Sequence, residues 1–516
     1  MLKCMGKARW LVKQGIFLSI ISALLSLLSF AKEAVFANFF GVSDVADAYT
    51  VAIQIPEILF AIVWESIHAV IIPLYTEKLR TGKKDDGKKF ISNILFVVCA
   101  ISLFSVLLGE TASSGIVHLF SPGLSEDTHT LAVSLMRWIF PMLFFEGIIR
   151  VCTGILNVHN QFLIPKLLTA IRNIGVIVFL ILFSNKFGVH AAAFGILSGI
   201  LIECILIVIS TSKRERFMPY LNLKDPTLKK AGKMVLPLIV GIGVSEINQI
   251  ADKIVASFLD SGSIASLNYA SKLSSIIQVV LLSNIITVLY PTFASLASEN
   301  KKEELIETYT EAIDLCIIIC APLVFGGFFL RESIVSLAFA RGAFDNTAVA
   351  EVAVLFSFYL FASLFSTLTI ISGKIFTSFY DTKTTAINSA IGVVINIILN
   401  ITLSRFMGAL GLVVATLVSS AVMCIRLYIL INKRIYRCQT KQVLSVAVKC
   451  LAGSLLMYLS LFAIRALFLG RLLNGSMLNQ AVYCAVCVTV GIVVYLLCIK
   501  LFKIKEIDFL FNKSAN

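Results

Sequence analysis

Charged side chains are scarce in this sequence. Only 14% of its 516 residues are Asp, Glu, Lys or Arg, whereas soluble domains carry about 25%. With 58% hydrophobic residues and so few charges, the chain cannot cover itself with a water-facing surface. This scarcity excludes a soluble enzyme, a secreted disulfide scaffold and a nucleic-acid-binding domain as interpretations of the whole chain. We therefore expect a polytopic membrane protein.

Catalytic signatures are also missing. The sequence contains no HExxH, GxSxG, P-loop or DxD-type pattern in a supporting context, so it predicts a transporter without catalytic residues or a cofactor, and no ATP hydrolysis. Transport must then draw on a coupling cation, the membrane potential or the gradient of the substrate. The twelve cysteines lie mostly in apolar runs, and the pair Cys484 and Cys487 has no polar neighbour. We interpret them as small buried helix residues and expect no metal site.

Long apolar runs dominate the sequence instead. A helix needs about 20 apolar residues to cross a bilayer, and helices satisfy their own backbone hydrogen bonds in lipid. The first run is longer than the core of a signal peptide and no A-x-A site closes it, so we expect it to be the first span. The sequence predicts an all-α protein with about fourteen transmembrane helices, near residues 14–38, 46–74, 90–109, 129–156, 167–185, 188–211, 234–258, 266–294, 306–329, 348–372, 384–404, 407–431, 443–467 and 479–502.

The basic residues predict the orientation of these spans. With the N-terminus inside, thirty of the 44 Lys and Arg residues fall in cytoplasmic segments. Cytoplasmic loops are the ones enriched in Lys and Arg. The sequence therefore predicts a multi-pass protein of the bacterial cytoplasmic (inner) membrane with both termini in the cytoplasm. The outer loops hold only six basic residues: Lys186, Arg331, Arg341, Arg405, Arg465 and Arg471.

A weak internal repeat divides the chain. Ala46 and Tyr49 reappear as Ala265 and Tyr269, about 219 residues later, and six predicted spans lie between the two copies. We therefore expect two parallel six-helix halves around a central cavity, followed by two extra helices. This layout is typical of transporters that work by alternating access. The predicted parts are the first half (1–211), a basic cytoplasmic linker (212–233), the second half (234–431), and the two extra helices with a cytoplasmic tail (432–516).

Polar residues inside the spans are candidates for that cavity. A charge at mid-bilayer costs about 2.5–3.5 kcal/mol on insertion scales, so such a residue is expected to face water or a partner. The candidates concentrate in spans 1, 2, 7 and 8. They are Lys32, Glu33, Asp47, Gln54, Glu57, Glu65, His68, Glu246, Asp252, Lys253 and Lys272.

Several of these residues have a structural alternative. The charged pair in span 1 could reach the outer interface, and Asp47 could cap the helix of span 2. His68 could be a packed histidine with satisfied nitrogens instead of a proton-linked group. Outside this set, Arg150 and Arg172 could reach the cytoplasmic headgroups.

The first helical pair resembles a known family. The matching positions are Phe30, Lys32, Glu33, Phe40, Gly41, Ala46, Asp47, Ala48, Tyr49, Ile55, Pro56, Glu65 and Pro73. Further matches are the segments Y-A-S-K-L at 269–273, F-A-R-G-A-F at 339–344 and F-Y-D-T-K-T at 379–384. Together they resemble the MurJ/MviN family of lipid II flippases, within the multidrug/oligosaccharidyl-lipid/polysaccharide exporter superfamily.

The resemblance implies a function. We expect the chain to flip a lipid-linked cell-wall precursor, an undecaprenyl-pyrophosphate glycan such as lipid II, from the inner to the outer leaflet for peptidoglycan synthesis. Lys32, Lys253 and Lys272 would hold the pyrophosphate, and the other candidates would neutralise the cavity, bind a coupling cation or contact the glycan. The lipid tail would lie beside the two extra helices. Membrane lipids and cell-wall synthesis proteins are the expected partners.

The chain also departs from the family pattern. Ser26 and Phe60 stand where the family has cavity arginines, and Lys32 and Lys272 replace two others. Lysine binds phosphate as a point charge, whereas arginine binds it bidentately. The cavity is therefore expected to be cationic with fewer directional contacts. The sequence leaves open an exporter of a capsule or teichoic-type unit and a cation-coupled drug antiporter.

Overall fold

A computed structural model describes residues 2–80, 84–215, 217–466 and 477–504, without the side chains of 2–19, 84, 240, 244–245, 277 and 279–288. Its described part is helical and contains sixteen helices. They are α1 (Leu2–Phe40), α2 (Asp44–Arg80), α3 (Lys84–Phe120), α4 (Glu126–Ile139), α5 (Met142–Val158), α6 (Leu163–Leu168), α7 (Ala170–Phe187), α8 (His190–Ser212), α9 (Pro226–Ala256), α10 (Ser263–Ser298), α11 (Lys302–Phe339), α12 (Asn346–Ser378), α13 (Thr382–Met407), α14 (Ala409–Arg434), α15 (Thr440–Ile464) and α16 (Met477–Leu501).

The helices coincide with the predicted spans. Eleven helical segments of the described chain are long and apolar enough to cross a membrane, and two bent pairs raise the number to thirteen. One of these pairs, α4 and α5, bends by 44° next to Pro141, where proline cannot donate a helical hydrogen bond. The predicted span 266–294 falls on α10, which includes side chains outside the described set. The prediction of an all-α polytopic membrane protein is confirmed.

The helices form two compact units. The first contains Met1–Asn268 together with Gly342–Phe344, and the second contains Tyr269–Arg341 and Asp345–Asn516. The predicted halves, with a linker at 212–233, stay a prediction. Some of the basic residues behind the predicted orientation lie outside the described residues: Lys83, Arg216, Arg471, Lys505 and Lys513.

The two units repeat the same local geometry at an interval of about 220 residues. Ser125 caps α4 by accepting the amide of Thr128, and Asp345 caps α12 by accepting that of Ala348. The hydrogen bonds from the Ala348 amide and the Thr347 hydroxyl hold the pKa of Asp345 below its ordinary value. The left-handed residues recur at the same interval: Asn160 (φ 58°) with Tyr380 (φ 59°), and Gly188 (φ 55°) with Gly408 (φ 56°).

Glycines bring α7 and α8 unusually close. A Cβ atom on Gly199 would lie 2.8 Å from the Cα atom of Arg172, and one on Gly195 would lie 2.7 Å from the Cα atom of Val176. These glycines are four residues apart on one face of α8, the spacing that allows close helix contact in membranes. The first unit therefore depends on small residues at this contact.

The equivalent pair α13 and α14 meets differently. At the interval of 220 residues, Gly392 corresponds to Arg172 and Met423 corresponds to Glu203. The Met423 side chain fills the space beside Gly392, where an added Cβ would lie 2.1 Å from its sulfur. One turn away, Arg426 Nη1 donates to Asn388 Oδ1 at 2.8 Å, which satisfies a cation inside the span.

The two C-terminal helices belong to the second unit. α15 and α16 pack against α11 around Met457, Tyr483 and Cys487. The Tyr495 hydroxyl donates to the Ile318 carbonyl at 2.8 Å. The extra pair is thus tied to the side of α11.

We predict that Gly199→Ala lowers the melting temperature of the purified protein by several degrees, because its methyl group would meet the backbone of α7. Gly115→Ala is the matched control, since an added Cβ there meets no atom within 4 Å and alanine favours the helix. Thermal unfolding in detergent measures both. Equal melting temperatures for the two variants would contradict the tight α7–α8 contact.

Candidate functional site

Lys32 and Glu33 form an ion pair near the end of α1. Lys32 Nζ lies 2.9 Å from Glu33 Oε1, and the two side chains are only 17% and 8% exposed. Lys32 also interacts electrostatically with Glu57 and Tyr49 of α2, and the Glu57 side chain is exposed. The enclosure of Lys32 argues against the alternative in which it reaches the membrane interface. The geometry instead places one cation among two carboxylates.

Asp47 caps another helix. Its Oδ2 accepts the Gly262 amide at 2.8 Å, and its Oδ1 accepts the Ala265 amide at 2.7 Å. The carboxylate therefore stabilises the start of α10 and not that of its own helix. Two turns along α2, Gln54 Nε2 donates to Asn268 Oδ1 at 2.9 Å, so both polar residues bind α2 to the first turns of α10.

Glu65 begins a chain of ion pairs that crosses four helices. Its Oε1 lies 2.6 Å from Arg150 Nη1, and Arg150 Nε lies 2.9 Å from Glu146 Oε1. The other Glu146 oxygen lies 2.7 Å from Arg172 Nη1, and Arg172 Nε donates to Glu203 Oε2. We call these five residues the ion-pair chain. It joins α2, α5, α7 and α8.

The ion-pair chain runs from a half-exposed end to a buried one. Glu65 is 45% exposed, whereas Glu203 is fully buried. Three carboxylates face two guanidinium groups, so the formal charge of the chain is negative by one. The structure therefore pairs Arg150 and Arg172 with carboxylates, where the sequence allowed contacts with lipid headgroups.

His68 is held between two protein groups. Its Nδ1 lies 3.2 Å from the Arg150 carbonyl, which can only accept, so Nδ1 donates. Asn157 Nδ2 lies 3.5 Å from the other ring nitrogen. The geometry matches the alternative of a packed histidine whose ring nitrogens have protein partners.

The candidates on α9 have local partners. Gln249 Nε2 donates to a Glu246 oxygen at 2.6 Å, and Asn248 Nδ2 lies 3.5 Å from an Asp252 oxygen. Lys253 interacts electrostatically with Asp47.

Lys272 lies on α10 in the second unit, and its side chain is exposed. The first unit thus brings together Lys32, Glu33 and Glu57, and separately Asp47 and Lys253. The predicted role of Lys272 in substrate binding stays a prediction.

Most of the chain matches a known family. The sequence profile described as "Lipid II flippase MurJ" matches residues 36–511. The chain belongs to the MurJ family. It is 26% identical over 478 residues to the "Probable lipid II flippase MurJ" of Bdellovibrio bacteriovorus, covering 90% of both chains.

One solved structure agrees with this assignment, and a second shares the fold. A structure titled "Lipid II flippase MurJ, inward closed conformation" matches with a TM-score of 0.81 and 25% identity, over 94% of this chain and 98% of that chain. An inward-facing multidrug resistance MATE transporter of the MOP superfamily matches with a TM-score of 0.68 at 14% identity, over 80% and 94% of the two chains. The second likeness concerns the fold alone.

Ser26 and Phe60, where the resemblance implied arginines, make uncharged contacts. The Ser26 hydroxyl donates to the Ser22 carbonyl of its own helix at 2.9 Å. The Phe60 ring stacks near Trp64, with ring centroids 6.3 Å apart. Neither side chain carries a charge, whereas Lys32 of α1 does.

Two glycines in the segments that resemble the family have a steric reason for their positions. Gly41 and Gly342 both have a left-handed backbone, with φ of 57° and 56°. A Cβ on Gly41 would lie 2.3 Å from the Ala343 carbonyl oxygen, and one on Gly342 would lie 2.2 Å from that of Asn38. The Ala343 amide donates to Asn38 at 2.9 Å. The two turns that contain these glycines therefore contact each other through their backbones.

Sequence reasoning missed structural features of both units. Glu203 is a lone carboxylate in an apolar span, and its isolation was the signal that a cation lies opposite. The spacing of four between Glu146 and Arg150 was a second signal. A cavity of about 690 Å³ in the first unit and one of about 430 Å³ in the second contain none of the eleven predicted residues.

We predict that Arg172→Gly destabilises the first unit by about 3 kcal/mol, because it leaves the buried Glu203 without its guanidinium. Adding Glu203→Met should restore most of the loss, since Gly392 and Met423 occupy these places in the second unit. Thermal unfolding of the wild type, both single variants and the double variant gives the coupling energy. Additive effects would contradict the pairing.

Proposed function

We propose that this chain flips lipid II from the inner to the outer leaflet of the cytoplasmic membrane for peptidoglycan synthesis. The observation that carries the proposal is the match to the MurJ family over residues 36–511. The likeness extends to 98% of a solved lipid II flippase. The absence of catalytic signatures in the sequence supports a transporter.

The charges on α1 and α2 provide the binding chemistry that we propose. A pyrophosphate cannot enter hydrocarbon without compensation of its charge. Lys32 has three donors and one close partner, Glu33, so an incoming phosphate can share or replace that carboxylate. Glu33 and Glu57 would then be left to a coupling cation or a proton. Substrate binding and cation binding would thereby favour each other at one lysine.

Lys253 and Lys272 extend this proposal to later helices. Both are cations on the helices that repeat the first pair. We propose that they contact the pyrophosphate or glycan in one of the alternating states.

The orientation that we propose follows the basic residues. The segments predicted to be cytoplasmic carry thirty Lys and Arg residues against six outside. Both termini would then lie in the cytoplasm, and the connections α1–α2 and α11–α12 would face outward.

The test of the function is depletion of the protein in its own cell. We expect lipid II to accumulate in the inner leaflet, out of reach of an externally added lipid II-modifying enzyme, followed by lysis. Mass spectrometry of the lipid-linked intermediates, with a complemented strain as the control, measures it. Accumulation of another lipid-linked glycan in viable cells would contradict lipid II as the substrate. Unchanged pools would contradict flipping.

We predict that Lys32→Ala reduces outward transport of lipid II about tenfold or more, because a charge-assisted contact to phosphate is lost. Lys32→Arg should retain activity, since arginine also binds phosphate. Complementation of the depleted strain and membrane abundance are measured together.

Two variants complete this test. Glu33→Gln added to Lys32→Ala removes the carboxylate that the single variant leaves without its lysine. The double variant therefore separates the loss of substrate binding from the effect of breaking the Lys32–Glu33 ion pair. Lys186→Ala, an exposed lysine at the end of α7, is the control for charge. Full activity of Lys32→Ala at normal abundance would contradict the proposed role.

A further inference from the structure

A cavity of about 430 Å³ lies in the second unit, where α11, α12, α15 and α16 meet. It is near the helix ends that carry the α11–α12 and α15–α16 connections. Its lining combines two arginines, Arg331 and Arg465, with aromatic rings and hydroxyl groups. A cavity of this size fits a small ligand or a lipid headgroup.

Among the residues that the structure describes, no carboxylate pairs with either arginine. Neither forms an ion pair within 4.0 Å in the part of the chain that the structure describes, in contrast to Arg150 and Arg172. The Arg331 guanidinium lies 4.6 Å from the centre of the Phe328 ring, a cation–π contact that holds it at the wall. The lining contains one carboxylate, Glu332, which is exposed. The charged side chains of the lining therefore have a net formal charge of plus one.

Aromatic and hydroxyl side chains form the rest of the wall. Tyr458 meets Phe329 edge to face, with ring centroids 5.4 Å apart. Phe462 of α15 is 58% exposed, and aromatic side chains are enriched where membrane proteins meet the membrane interface. The Ser336 hydroxyl donates to Gln480 Oε1 at 2.9 Å, which joins α11 to α16 at the cavity. Such a wall is complementary to a glycerol backbone and the first methylenes of an acyl chain.

We propose that this cavity binds the phosphate group of an acidic membrane lipid, which stays with the protein and is not transported. Guanidinium groups bind phosphate oxygens with paired hydrogen bonds, and two of them converge on this lining. Free phosphate offers the same oxygens, but it leaves the aromatic wall unused. The lipid would fill the space between α11 and the C-terminal helices. This proposal does not depend on which substrate the chain moves.

The experiment is native mass spectrometry of the full-length protein in detergent, titrated with phosphatidylglycerol or with phosphatidylcholine of the same acyl chains. We expect phosphatidylglycerol to bind about tenfold more tightly. Arg331→Gln and Arg465→Gln should each weaken that binding about tenfold, because each removes one charge-assisted contact. Arg405→Gln is the control: Arg405 is exposed at the end of α13 and does not line the cavity.

The outcomes distinguish a bound acidic lipid from free inorganic phosphate. Selective weakening in the two cavity variants, with unchanged elution and melting temperature, supports the proposal. Equal binding of both lipids, or an equal loss in Arg405→Gln, would overturn it. Displacement of the lipid by millimolar inorganic phosphate would also overturn it, because the site would then recognise the free ion. If one substitution prevents folding, Arg331→Lys and Arg465→Lys keep the charge and give an intermediate affinity.

Discussion

The high free energy of a charged group without a partner in hydrocarbon constrains the first unit more than any other interaction. The ion-pair chain from Glu65 to Glu203 satisfies this constraint with side chains of four helices. It also fixes their register. A shift of α7 by one turn, about 5.4 Å, would separate Arg172 from both of its carboxylates at once. The glycines of α8 allow the two backbones to approach closely enough for the contact with Glu203.

The second unit repeats the hairpin of α7 and α8 as α13 and α14, but without these ion pairs. Met423 lies against Gly392 where Glu203 meets Arg172, and an arginine–asparagine contact lies nearby. A methionine can adopt several rotamers at similar energy, whereas a paired carboxylate cannot move without losing its partner. The repeat therefore conserves the backbone geometry, down to Gly188 and Gly408, while the two helix hairpins differ in how firmly side chains fix them.

The sequence predicts what depends on local patterns. Apolar runs locate the helices, because backbone hydrogen bonding in lipid leaves few alternatives, and the interval of about 219 residues reveals the repeat. Contacts between distant segments could not be predicted from these patterns. Asp47 was expected near its own helix or in a cavity, yet it binds amides 215 and 218 residues away. The partner of Glu203 lies 31 residues earlier on another helix, and hydropathy does not encode such pairing. The motif glycines could be recognised as a resemblance, but their left-handed backbones explain them only in three dimensions.

The contact of Asp47 with the start of α10 has an electrical consequence. Aligned peptide groups give a helix about half a positive elementary charge at its N-terminus. The Asp47 carboxylate lies at this positive end of the helix. The negative charge of the carboxylate and the partial positive charge of the helix end therefore offset each other. A count of formal charges therefore overstates the negative potential that Asp47 contributes to its surroundings. An anion approaching Lys253 meets a more positive potential than the neighbouring residue types suggest.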